Sequence, residues 1–236
     1  MKKILVCILS LIILAACIVT VSENNFNNIV AVNGTAQNFT VILDAGHGGE
    51  DGGAVASDGT LEKDINLEIT DKISFLFDLF GINYIPVRTE DISVCDDGLN
   101  SVRARKSSDI HNRFKLINDT ENSILLSIHQ NKFVSEKYSG TQVFYAENSD
   151  TSSVLAQCIQ DSVTTALQPE NKRQIKPSGK SIYLLYNAKR PSVLVECGFI
   201  SNFEELSKLK DSNYQKQIAY FITTGLLNYF KTTKEI

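Results

Sequence analysis

The chain of 236 residues has no excess of charge of either sign: 23 Lys and Arg stand against 27 Asp and Glu, a net charge of −4. A nucleic-acid binder normally presents a basic face, and this balance argues against one. Cysteine is sparse and scattered, at positions 7, 17, 95, 158 and 197. That pattern is neither a disulfide framework nor a CxxC metal site, so a hydrophobic core must hold the fold. With 43% hydrophobic residues, the chain can build one core of ordinary size. Histidine occurs only three times, which makes each position informative. No internal repeat or low-complexity block is present.

Several catalytic signatures are missing as well. There is no G-x-S-x-G elbow for a nucleophilic serine and no H-E-x-x-H zinc motif. The stretch VILDAGHGGEDGG, Val41 to Gly53, is rich in glycine but does not fit a phosphate loop. Gly46 and Gly48 are followed by Asp51 where a dinucleotide loop needs a third glycine, and no Gly-Lys-Ser/Thr triplet follows. Gly179-Lys180-Ser181 lies far away and lacks the earlier glycine.

One long apolar run is present, Ile4 to Val21, preceded by Lys2 and Lys3 and followed by Glu23. This reads as an export segment, residues 1–21, either a signal peptide or a retained N-terminal membrane anchor. Leu14-Ala15-Ala16-Cys17 also resembles a lipobox, which would place a lipid on Cys17. All three readings put the chain outside the cytoplasmic membrane. Residues 22–37 read as an Asn-rich linker, leaving 38–236 as the single folded domain.

From Phe39 onward strand and helix patterns alternate. Strands are expected at Val41–Leu43, Ile82–Val87, Ser123–Ile128, Gly140–Tyr145, Ile182–Tyr186 and Ser192–Cys197. Helices are expected at Leu61–Phe80 (capped by Thr60, ended by Gly81), Ser101–Ile117, Ser153–Leu167, Phe203–Leu209 and Tyr214–Phe230. This order predicts a single α/β domain: a largely parallel or mixed sheet of about six strands, with helices on both faces. Ligands bind such sheets beyond the carboxyl ends of the strands.

Three titratable side chains stand at strand ends: His47, His129 and Glu196. His111 lies in a polar helix and reads as solvated. Two histidines converging on one sheet edge suggest a metal centre, which needs a third ligand and an open position for water. Glu62, in the first turn of the helix that follows the loop, is the candidate, although acids are ordinary there; Glu50, Asp51, Asp58 and Asp64 are nearby rivals. Glu196 interrupts an apolar strand, SVLVECGF, and shares the face of Ser192 and Leu194 rather than that of Val193, Val195 and Cys197. A carboxylate there costs several kcal/mol of desolvation unless it is paired or sits in a site. It reads as a general base of raised pKa. Cys197 as a nucleophile is disfavoured, because it faces the apolar side.

Three stretches taken together, LDAGHGGEDGGA…GTLEKDINLEI, LSIHQN and VLVECGFISNFEE, resemble the zinc-dependent N-acetylmuramoyl-L-alanine amidases, which cleave bacterial peptidoglycan. The resemblance runs from Thr40 to Phe230. It implies one zinc ion held by His47, Glu62 and His129, with Glu196 as the catalytic glutamate and Asn131 as a substrate contact. Length and the single export segment look most like the germination-specific, spore-cortex branch. That branch implies a place between the forespore membranes and room for an accessory lipoprotein partner. A zinc peptidase acting within the stem peptide and a non-catalytic peptidoglycan-binding protein are the rival readings. The chain departs from the family pattern at Ala45, often proline, and at Cys197, often valine or a small residue.

Overall fold

The computed structural model describes residues 39–233. The expected export segment, with Cys17, and the linker lie outside the described residues. Six strands form one sheet: β1 (Thr40–Ala45), β2 (Tyr84–Pro86), β3 (Ser123–Asn131), β4 (Gln142–Tyr145), β5 (Lys176–Pro177) and β6 (Ser192–Phe199). Their spatial order is β2-β1-β3-β6-β4-β5. The first four of that order run parallel; β4 is antiparallel to β6, and β5 is parallel to β4. The helices are α1 (Glu62–Phe80), α2 (Val102–Asp119), α3 (Ser152–Ala166), α4 (Tyr183–Asn187), α5 (Phe203–Lys210) and α6 (Ser212–Thr232).

Alternation along the strands divides the core between two faces. Val41, Leu43, Leu126, Val195 and Cys197 pack with α1, α3, α5 and α6 on one face. Ile42, Leu125 and Leu194 pack with α2 and α4 on the other. With both faces covered, the parallel strands read as near-continuous apolar runs.

The helix ends follow from local chemistry. α1 buries the stripe Ile65, Ile69, Ile73 and Phe77, and it carries Glu62 and Asp64 in its first turn, where the helix dipole favours acids. It stops at Gly81, whose left-handed φ of 66° lets its N–H reach the carbonyls of Asp78 and Phe77. Ser101 caps α2 by accepting from the Ala104 amide, and Asp211 caps α6 by accepting from that of Tyr214.

Two local expectations fail. Thr60 does not cap α1: the capping position is Leu61, which makes no side-chain cap bond. Ile182–Tyr186 is not a strand. Tyr183–Asn187 forms the short helix α4, with Leu184 and Leu185 both buried. The sixth strand is instead the two-residue edge β5, which is exposed and has no apolar pattern to announce it.

Candidate metal centre

β1 delivers Asp44 and Ala45 to the sheet edge, and the chain then turns through Gly46 into His47. His47 has a φ of 64°, a left-handed conformation that a non-glycine residue adopts at a cost. Two buried arginines hold the turn. Arg113 of α2 pairs with the Asp44 carboxylate and donates to the carbonyls of Ala45 (3.0 Å) and His47 (2.7 Å). Arg88, after β2, donates to the carbonyls of Ala45 (2.9 Å), Gly46 (3.1 Å) and Lys63 (2.8 Å). Ser127 completes the shell of Asp44 with a bond of 2.6 Å. Burial alone would raise the Asp44 pKa, but Arg113, His129 and Ser127 together hold it below the usual value.

Glu62, 4% exposed, enters from the first turn of α1. Its Oε1 lies 2.8 Å from His129 Nδ1 and accepts from the Gln130 amide at 3.1 Å. Its Oε2 lies 3.3 Å from His47 Nε2 and accepts from the Ala54 amide at 2.8 Å. One ligand atom from each of His47, Glu62 and His129 falls within 4.8 Å of the others. Asp51 takes the remaining nitrogen of His47, Nδ1, at 2.8 Å, and Lys106 holds Asp51 in turn at 2.8 Å. A carboxylate on the outer nitrogen of a histidine fixes the ring for metal binding through the inner one.

The four rivals of Glu62 are engaged elsewhere or exposed. Glu50 forms a two-bond pair with Arg105 at 2.7 Å, Asp58 pairs with Lys210, Asp64 is exposed, and Asp51 stands behind His47. Two imidazoles and one carboxylate around an open position are the donor set of a catalytic zinc site. The loop glycines fit the same purpose. A Cβ on Gly46 would lie 2.2 Å from the His129 ring, and one on Gly53 would lie 2.6 Å from both Glu62 Oε2 and His47 Cδ2. The glycines therefore make room for the side chains of His47, Glu62 and His129.

Glu196 stands in register with His129 across β3 and β6, so the two side chains share a face. Its Oε2 is buried with no hydrogen-bond partner among the described residues. Burial pushes its pKa from 4.5 to about 7, with His129 opposing the shift and Glu62 adding to it. For His47, burial acts downward but the bonds to Asp51 and Glu62 win, raising its pKa to about 9. Asn131 lies two residues past His129, half-buried, paired with Phe199 where the β3–β6 register shifts. His111 is exposed, as expected, with its ring against Tyr183.

A family model described as N-acetylmuramoyl-L-alanine amidase matches residues 41–228. The chain belongs to this amidase family. It is 36% identical over 190 residues to the germination-specific N-acetylmuramoyl-L-alanine amidase of Bacillus subtilis strain 168, a match covering 80% of this chain and 79% of that one. Among solved structures, the CwlD amidase of Clostridioides difficile, in complex with the GerS lipoprotein, superimposes with a TM-score of 0.79 at 39% identity, covering 82% of this chain and 98% of that one. An N-acetylmuramoyl-L-alanine amidase of Clostridium difficile 630 gives a TM-score of 0.70 at 27% identity, covering 82% and 97%.

Sequence patterning does not single out the buried arginines of this amidase, Arg88 and Arg113. A signal for Arg113 exists, however. It lies three residues after Ile110 and four before Ile117, on the apolar side of α2, where a charge demands a buried partner.

Proposed function

We propose that this amidase is a zinc enzyme that hydrolyses the bond between the lactyl group of N-acetylmuramic acid and L-alanine. His47, Glu62 and His129 hold the ion, and Glu196 is the proton carrier. The observation that carries this reading is the unpartnered, buried Glu196 Oε2 beside His129. A buried carboxylate oxygen without a donor is costly, and an attacking water would satisfy it.

A zinc ion in this site supplies a Lewis acid that polarises the lactyl carbonyl and lowers the pKa of water to about 7. Glu196 accepts the proton of the attacking water. It then returns that proton to the departing L-alanine nitrogen, leaving a lactyl carboxylate on the glycan and a free stem peptide. Asp51 and the Arg88–Arg113 clamp keep His47 oriented throughout. Asn131, at the same strand end, contacts the substrate.

The amidase works outside the cytoplasmic membrane on spore cortex, with an accessory lipoprotein as partner. The germination-specific relative and the CwlD–GerS complex support this setting. No helix among the described residues is long and apolar enough to cross a membrane, and the reading assigns any anchoring to the N-terminal segment. Mass spectrometry of peptidoglycan digests tests the reaction: peptides beginning with L-alanine are expected, and cleavage within the stem peptide would support a peptidase instead. Loss of product on chelation, restored by zinc, is expected for the metal.

A further inference from the structure

The sheet order sets a direction across the site. The three metal-ligand positions belong to the β1 loop, α1 and β3, Glu196 to β6, and the next strand is β4. Gln142, the first residue of β4, is the register partner of Glu196 and shares its face. Its Oε1 accepts from Arg173 Nη1 at 3.1 Å. Arg173 also donates from Nε to the Ser139 carbonyl at 2.7 Å, and its guanidinium lies over the Phe199 ring, 4.5 Å from the centroid. Tyr138 stacks on the same Phe199 at 6.1 Å. Arg173 is thus oriented by Ser139, Gln142, Phe199 and the Tyr138 ring, whose centroid lies 5.7 Å away, while its Nη2 has no hydrogen-bond partner among the described residues.

We infer that Arg173 is a specificity-determining residue that binds a carboxylate on the stem peptide, one residue beyond the L-alanine. The inference rests on the amidase reading above, because Glu196 hands its proton to the leaving nitrogen. The peptide therefore departs over β6 toward β4, and the glycan lies on the β1 side. Register partners on antiparallel strands are about 4.5–5.5 Å apart, and Arg173 lies one hydrogen bond past Gln142. Arg173 therefore lies beyond the first departing residue, since one residue of extended peptide covers only about 3.3–3.6 Å. A guanidinium seated over an aromatic ring, with Nη2 unbonded among the described residues, is preorganised to donate to a carboxylate.

The test uses the zinc-loaded full chain and two synthetic muropeptides that differ only in a free carboxylate or a carboxamide on the second stem residue. The wild type is expected to favour the carboxylate substrate in kcat/KM by about 10- to 100-fold, the value of a hydrogen bond to a charged group. In Arg173→Gln this ratio falls to near unity, and Arg173→Lys keeps part of it. A purely structural role would lower both substrates together and leave the ratio standing, which overturns the inference, as does a wild-type ratio near unity. Binding of the free stem peptide to the metal-free chain gives the same comparison without turnover. Cleavage of neither substrate, with carboxylate-selective binding retained, would sink the catalytic reading and leave the subsite standing.

Discussion

Replacing Gly46 by alanine perturbs the centre of the site with one carbon atom. The new Cβ would lie 2.2 Å from Cε1 and Nε2 of His129, whereas ordinary contact begins at 3.4 Å, so something must retreat by about 1.2 Å. The backbone is poorly placed to do so. The Gly46 carbonyl is held by Arg88 and Asn66, each at 3.1 Å, and its amide by the Ile128 carbonyl at 3.1 Å. The imidazole must move instead, and metal sites tolerate only about 0.2 Å of error in ligand distance. Zinc affinity should fall by at least the roughly 10- to 100-fold typical of a disturbed outer shell. Chelator competition measures this, with thermal unfolding of the metal-free protein as the control for folding. Gly98→Ala is the matched comparison: its φ is +76° and nothing lies within 4 Å of the added carbon. It should cost about 1–2 kcal/mol of backbone strain and leave zinc binding unchanged. A folded Gly46→Ala protein that binds zinc as tightly as wild type would refute the reasoning.

Glu196→Gln should retain zinc and lose about 10²- to 10⁴-fold in turnover; a near-normal rate would remove Glu196 from the mechanism. In the metal-free protein the same variant reports on burial. A carboxyl whose pKa rises from 4.5 to about 7 on folding destabilises the fold increasingly as pH climbs through that interval. Denaturant titrations should show wild type losing up to about 3 kcal/mol relative to Glu196→Gln between those limits, and less where solvent reaches the group. Arg113→Met leaves Asp44 buried without its cation and should cost about 3–5 kcal/mol in urea unfolding. Adding Asp44→Leu should recover much of that loss, and no recovery would argue against a buried charge as the cause. Cys197 is fully buried and its thiol is pushed up by burial, so Cys197→Val should keep activity, and alkylation of the native protein should reach Cys95 and Cys158 but spare Cys197.

The long periodic elements are legible in the sequence because burial on one face imposes a period. The α1 stripe from Ile65 to Phe77 and the runs at β3 and β6 lie where their patterns place them. Residues 182–186 are not, because five residues with adjacent leucines satisfy a buried strand and one turn of helix equally well. β5 has two exposed residues and no pattern to read. His47, His129 and Glu196 stand out because a titratable group at the end of an apolar strand is expensive without a purpose. Glu62 does not, since an acid in a first helical turn is ordinary. The glycines are legible as a loop, but the reason for them is a contact between distant segments: Gly46 against His129 and Gly53 against Glu62.

The most direct test of the account is a crystal structure of the zinc-loaded protein with anomalous data at the zinc edge. It should show one ion bound by His47, His129 and Glu62 at about 2.0–2.2 Å, with Glu196 facing the open position. An active protein whose only zinc sits elsewhere, or that carries none, would contradict it.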